Sequence, residues 1–159
     1  MHFTALLLHV LAAIVWVGGT VALVFAGVPA IRRAPVELRP DLFRTLGRRW
    51  RPLGWGSLAV AGATGLVLAR EHYAFNTSNL VDTAFGRVVL LKIVLLAYLL
   101  VGSYLHDYVL GPRLQDQVRA GAPQTVRPWL VRLGWLNFAV TLALPVLGVW
   151  LTAKAHDGF

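Results

Sequence analysis

Four apolar stretches, each long enough to cross a bilayer, constrain the fold of this chain more than any other feature. They lie at 3–31, 53–70, 87–111 and 129–154, and each reaches the roughly 17 residues that a helix needs to span the hydrocarbon core. Because 57% of the residues are hydrophobic and 14% are charged, the chain lacks the charged surface of a soluble domain. We therefore expect an all-α integral membrane four-helix bundle, with residues 1–159 forming a single transmembrane domain.

The first apolar stretch lies at the N-terminus, where a cleaved signal peptide would also be found. It has no basic n-region, and its apolar run is longer than an ordinary h-region. We interpret it as a retained first span.

The basic residues are unevenly distributed between the two ends of the predicted helices. Eleven arginines lie in or beside the connections 32–52 and 112–128, whereas the opposite end has three basic residues. The positive-inside rule therefore predicts that both connections are cytoplasmic loops and that both termini are extracytoplasmic. The net charge of +8 is then explained by cytoplasmic loops that face anionic lipid headgroups. No basic face with interleaved aromatic residues exists outside the loops, which excludes nucleic-acid binding.

The first cytoplasmic loop is expected to contain a short amphipathic helix that begins near 40–43 and lies among the headgroups. Tryptophans on the same side fit an interfacial belt; they are Trp50, Trp55 and Trp129.

Ionisable residues inside a span are costly and point to a partner, a cavity or a function. Counting depth at about 1.5 Å per residue places His9 of the first helix and Lys92 of the third at a similar level near the outer surface. His2, His72 and His156 fall at the outer ends of helices. Four of the five histidines, with the one lysine inside a span, are thus predicted to gather at the outer end.

His106 lies near the inner end of the third helix, about 20 Å in depth from His9. These two histidines are therefore not expected to bind one metal ion or one haem iron together, and His106 would belong to a second site, an exit or a relay. Helical phase predicts that Trp16, on one stripe with His9, and Asn137 of the fourth helix face the bundle interior.

The residue types present favour metal chemistry based on histidine. The chain has no cysteine and a single methionine, which argues against thiolate sites and methionine-rich copper relays. Imidazole is a good ligand for copper, zinc and haem iron. We find no nucleophilic triad, phosphate-binding loop or paired-carboxylate site.

Two runs resemble the copper-resistance protein D (CopD) domain of bacteria. These are LHVLAAIVWVGG at 8–19 and AFGRVVLLKI at 84–93. Two shorter matches, Phe43-Arg44 and Thr64-Gly65, lie between them. This resemblance implies copper movement across the bacterial inner membrane by a multi-pass protein.

The chain is also similar to the four-helix HemJ-type protoporphyrinogen oxidases, which carry histidine, lysine and histidine at the positions of His9, Lys92 and His106. That resemblance implies a b-type haem with the histidine as an axial ligand. The fourth helix departs from the HemJ pattern, because Phe138 follows Asn137 where an acidic residue is expected.

Three hypotheses follow from these observations. The leading one is a copper-binding or copper-transporting protein with His9 as the central ligand and Lys92 tuning the charge; the site would be completed by His72, His156 and His2. It would receive copper from an extracytoplasmic copper-binding protein. The second is a haem b protein or oxidoreductase that uses His9, Lys92 and His106. The third is an accessory subunit whose polar residues only hold helices together. Catalysis and homo-oligomerisation stay open.

Overall fold

The computed structural model describes residues 2–71 and 77–156, and these form four long helices and one short helix, Thr77–Asp82. Each of the four long helices is long and apolar enough to cross a membrane. This confirms the prediction of an all-α integral membrane protein with four spans. The long helices are α1 (His2–Arg33), α2 (Val36–Glu71), α3 (Ala84–Arg119) and α4 (Arg127–His156).

The helices pack as two pairs that close into one bundle. α1 packs most extensively on α2, α3 packs on α4, and α1 also contacts α4. α2 and α3 meet through longer side chains, since the rings of Trp55 and Tyr108 lie 6.1 Å apart. Leu99 and Thr141 are fully buried between the helices. The interior is therefore narrow and contains polar as well as apolar groups.

The outward faces of the helices are apolar. Phe3, Ile14, Val94 and Val149 are each more than half exposed. A soluble monomer rarely exposes contiguous apolar surface on this scale, whereas a bilayer requires it. These faces are the lipid-contacting surface of the bundle.

Each of two helices contains a π-helical turn just before a proline. The π turns are Leu23–Gly27 in α1 and Leu105–Leu110 in α3, and the prolines are Pro29 and Pro112. A proline has no N–H to donate, and its ring clashes with the carbonyl four residues earlier. In both helices that carbonyl belongs to the π turn, so the wider turn accommodates the proline and the helix continues.

The predicted loop 32–52 is helical from Val36 onward, and α1 and α2 are joined through Ala34 and Pro35. Arginine favours helix, and the first turns of α2 still pack on α1, where a Cβ placed on Gly27 would lie 3.2 Å from Leu46 Cδ2. The amphipathic segment is thus continuous with the second span. At about 1.5 Å per residue, the 36 residues of α2 exceed the thickness of the hydrocarbon core.

The second predicted loop, 112–128, is also shorter in the structure. α3 continues to Arg119, and the chain turns through Gly121, whose φ of 62° is in the region that glycine favours. We call the end of the bundle that carries the connections 34–35 and 120–126 the arginine-rich end. The opposite end, with His2, Glu71 and the last turn of α4, is the terminal end.

Candidate functional site

His9 lies in the interface between α1 and α2 with one ring nitrogen bound to the neighbouring helix. Its Nδ1 is 2.9 Å from the carbonyl oxygen of Ala61 and 3.2 Å from Thr64 Oγ1. Because a carbonyl can only accept, Nδ1 carries the hydrogen and donates it. The Thr64 hydroxyl donates to the Val60 carbonyl at 2.6 Å and so presents a lone pair to His9. In a neutral ring this fixes Nε2 as the nitrogen with a free lone pair.

The space around His9 is created by a residue without a side chain. A Cβ placed on Gly65 would lie 3.1 Å from His9 Cε1, which is tighter than an ordinary contact. The glycine therefore allows the ring to lie flat against α2, with the Nδ1 atom facing the Ala61 carbonyl. No hydrogen bond to Nε2 is found within residues 2–71 and 77–156.

Lys92 of α3 lies at the same level as His9. Its Nζ would be 3.4 Å from a Cβ on Gly148 of α4, and it is close enough to His9 for an electrostatic interaction. Trp16 Nε1 of α1 donates to Thr141 Oγ1 of α4 at 3.1 Å, so these two residues lie at one level of the bundle. His9 and Gly148 are each seven residues nearer the terminal end on these antiparallel helices, so they also lie at one level. One layer of the bundle thus contains an imidazole and an ammonium group.

The terminal end places one further predicted ligand beside an acid. His2 Nδ1 lies 2.7 Å from Glu71 Oε2, so the first turn of α1 meets the last turn of α2. His72 lies outside the described residues, and α4 ends at His156, whose side chain is also outside them. The predicted gathering of His72 and His156 around His9 therefore stays a prediction.

The part of the chain that the structure describes has no group of three or more histidine, aspartate or glutamate side chains that could hold a metal ion. A copper site centred on His9 with three or more such ligands would therefore need at least one from outside the described side chains or from the copper carrier itself.

His106 belongs to a separate cluster at the arginine-rich end. Its Nδ1 lies 3.0 Å from Asp107 Oδ1, and Nη2 of Arg51 from α2 donates to the Asp107 carbonyl. The Arg51 guanidinium lies 4.9 Å from the centroid of the Tyr108 ring. A Cβ on Gly134 would be 3.6 Å from His106 Nε2. We call Arg51, His106, Asp107 and Tyr108 the inner cluster.

The two histidines inside helices are far apart. Lys92 lies against Gly148 of α4, and His106 lies against Gly134 of the same helix α4. These two glycines are separated by about 21 Å at the α-helical rise. Since Lys92 is level with His9, a single metal ion cannot contact both His9 and His106.

Trp16 and Asn137 face the bundle interior. Trp16 packs on Trp50, with ring centroids 6.1 Å apart, in addition to its hydrogen bond with Thr141. Asn137 of α4 packs against the backbone of Gly102 in α3. Its Oδ1 is buried and has no hydrogen-bond partner among the described residues. Both side chains hold helices together.

Sequence reasoning missed three groups. The Ala61 carbonyl that orients His9 has no signature in a sequence, because every residue has one. In the sequence, Glu71 is one acidic residue near a predicted helix end, and Arg51 is one of the eleven arginines beside the predicted loops. The antiparallel arrangement of the first two spans places the start of α1 beside the end of α2, which is compatible with the pairing of His2 and Glu71; no signal marked Arg51.

Comparisons with known proteins identify the family of this chain. A family model described as copper resistance protein D matches residues 44–151. An uncharacterized protein of Aquifex aeolicus (strain VF5) is 30% identical over 145 residues, which cover 91% of this chain and 90% of that protein. No solved structure matches. The match extends over more than half of the chain and includes parts of α2, α3 and α4, so this multi-pass membrane protein belongs to the copper resistance protein D family.

Proposed function

We propose that the protein handles copper as cargo and that Nε2 of His9 is the central copper ligand. The observation that carries this proposal is the 2.9 Å hydrogen bond from His9 Nδ1 to the Ala61 carbonyl. Metal-binding histidines almost always donate their second ring N–H to a carbonyl or carboxylate, which orients the ring and makes the other nitrogen a better ligand. Neutral imidazole suits copper, and the family membership supports this metal.

Copper would reach His9 from outside the cytoplasm. The arginine-rich end is the end that the positive-inside rule assigns to the cytoplasm, so the terminal end faces the opposite compartment. His9 is seven residues, or about 10 Å, from His2 at the start of α1. An extracytoplasmic copper-binding protein is therefore the expected donor, and the bacterial inner membrane is the expected location.

The remaining ligands are assigned on the basis of their position in the chain. His72 directly follows Glu71, which is paired with His2, and His156 ends α4. His2 and His156 therefore lie at helix ends on the same side of the bundle, and His72 is assigned there only as the next residue in the sequence after Glu71. A copper ion entering there would meet these imidazoles before it reached His9.

Lys92 makes the proposed site suitable for transfer and unsuitable for storage. An ammonium group at the level of His9 repels a copper cation, and this repulsion is stronger in the poorly solvated interior of a bundle than in water. The affinity of the site is thereby lowered, which favours release to the next acceptor.

A copper titration of purified, metal-free protein tests the proposal. His9→Asn keeps an N–H close to the position of Nδ1 and removes Nε2. We expect at least about 100-fold weaker binding, because loss of a ligand costs more than the 10- to 100-fold loss typical of its hydrogen-bond partner. His106→Asn is the matched control, with wild-type affinity expected. Copper binding by His9→Asn at the wild-type affinity would refute the site.

A visible spectrum of the same preparation distinguishes copper from haem. The haem alternative predicts a Soret band in protein from haem-replete cells that disappears in His9→Asn. We expect a colourless protein that binds copper. A stoichiometric haem that is lost in His9→Asn would refute the copper proposal and support the haem alternative.

A further inference from the structure

A groove opens between α3 and α4 at the arginine-rich end of the bundle. Its volume is about 400 Å³, within the range of small-molecule sites. The π turn of α3 forms one wall, with Leu105 and Leu110, and α4 forms the other, with Leu133 and Leu136. The groove is apolar along its length and lies in a segment that spans the membrane, so an acyl chain suits its walls.

The groove ends at an arginine that no acidic residue neutralises. The guanidinium of Arg132 lies 5.5 Å from the centroid of the Trp129 ring, and both side chains are exposed and line the groove. Within residues 2–71 and 77–156, Arg132 makes neither an ion pair nor a hydrogen bond. Tryptophan is enriched at the level of lipid headgroups, and a guanidinium binds a phosphate through two parallel hydrogen bonds.

From these observations we propose that the groove binds one anionic phospholipid, with its phosphate on Arg132 and one acyl chain between α3 and α4. Charge complementarity selects this occupant. The same end of the bundle carries eleven arginines, and basic pockets between transmembrane helices recognise anionic headgroups. This site is separate from His9 and does not depend on copper binding.

Native mass spectrometry of the full-length protein, with phosphatidylglycerol or phosphatidylcholine of identical acyl chains added, tests the proposal. We expect phosphatidylglycerol to bind about fivefold more tightly, the contribution of one basic side chain near an anionic surface. Arg132→Gln should remove this preference. Arg49→Gln is the matched control, because Arg49 is an exposed arginine of the same end that does not line the groove.

A second pair of variants tests the groove and leaves the charge intact. Leu136→Trp places a bulky ring in the groove and should abolish the bound lipid, whereas Val149→Trp, at an exposed position of α4 away from the groove, should not. Equal binding of the two lipids would overturn the proposal. It would also be overturned if Arg49→Gln lost the preference for phosphatidylglycerol as fully as Arg132→Gln, or if Leu136→Trp still bound the lipid fully. Dimerisation that Leu136→Trp disrupts would identify a second copy of the chain as the occupant and would also overturn it.

Discussion

His9 and His106 are both histidines within membrane-spanning helices, but their surroundings differ. His9 donates from Nδ1 to a backbone carbonyl of another helix, and its neighbours are glycine, threonine and the ammonium of Lys92. His106 is paired with the carboxylate of Asp107, and the carbonyl of Asp107 accepts from Arg51. Neither Nε2 atom has a hydrogen-bond partner among the described residues, so the two sites differ in the other nitrogen: His9 Nδ1 is bound to a neighbouring helix, whereas His106 Nδ1 is bound to the next residue of its own helix.

Under the proposed function, His9, which lies beside Lys92 and nearer the terminal end, binds the copper, and the inner cluster supports the fold. Charged groups inside a bilayer pair with one another or with backbone carbonyls, and Arg51 meets that condition through the Asp107 carbonyl and the Tyr108 ring. Removal of one member should therefore cost stability. Changes around His9 should alter copper affinity and leave the bundle intact.

Arg51→Gln is expected to have the largest effect on stability. It removes a charged hydrogen bond to the Asp107 carbonyl, worth about 1.5–3 kcal/mol, and the cation–π contact with Tyr108, worth about 0.5–1 kcal/mol. Because Arg51 Nε is buried without a partner among the described residues, the net loss should be nearer 2 kcal/mol. Unfolding in detergent by heat or by added SDS measures it.

Two controls test whether the loss of stability is specific to Arg51. Arg49→Gln, at an exposed position, should change stability by less than about 0.5 kcal/mol. Copper affinity of Arg51→Gln should equal that of the wild type. A stable Arg51→Gln protein with weakened copper binding would reverse the roles of the two ends.

Lys92→Met should tighten copper binding by about tenfold, equivalent to about 1.4 kcal/mol. The substitution removes a positive charge from the level of His9 and keeps a side chain of similar length, so the repulsion of a copper cation disappears. Competition titration against a copper chelator gives the affinity. Arg70→Met removes an exposed charge at the terminal end, where salt screens it, and should have little effect. Weaker binding by Lys92→Met would mean that the ammonium supports the ligand.

The architecture was largely predictable from the sequence because the bilayer sets the length of each span. The stretches around Leu8 and Leu90 are mostly apolar over the length of a span, with His9 and Lys92 as exceptions, so few folds accommodate them. The limits of the helices were less predictable. The segment that begins α2 has the charge of a loop, yet it is helical and Leu46 packs against Gly27, a contact between residues 19 positions apart.

The candidate site was predictable only in part. Depth counting along helices put His9 and Lys92 at one level, and the structure has them there, since rise per residue is nearly constant. Depth counting could not give the hydrogen-bond partners of each side chain. The pairing of His9 with the Ala61 carbonyl and of Arg51 with the Asp107 carbonyl involves backbone atoms, which carry no sequence signal.

Gly65→Ala is expected to weaken copper binding by about fivefold. Its new methyl group would lie 3.1 Å from His9 Cε1, so the ring must move by a few tenths of an ångström, which uses up much of the roughly 0.5 Å within which a binding site must be held and gives a modest loss. Gly134→Ala is the counterpart at the inner cluster, where the new methyl group meets His106 Nε2 at an ordinary 3.6 Å. It should leave copper binding unchanged. Equal effects of the two substitutions would contradict the assignment of His9 as the ligand.

Thr64→Val should have the smallest effect, a two- to threefold loss of copper affinity. Thr64 Oγ1 is the longer of the two acceptors of the His9 Nδ1 hydrogen, at 3.2 Å against 2.9 Å for the Ala61 carbonyl, so most of the hydrogen bond survives its removal. Valine has the same shape, and the ring keeps its position. Thr64→Ser keeps the hydroxyl and should bind copper as the wild type does. A loss in Thr64→Val as large as that in His9→Asn would show that the threonine oxygen itself contacts the metal, and the site would then contain an oxygen ligand beside the imidazole.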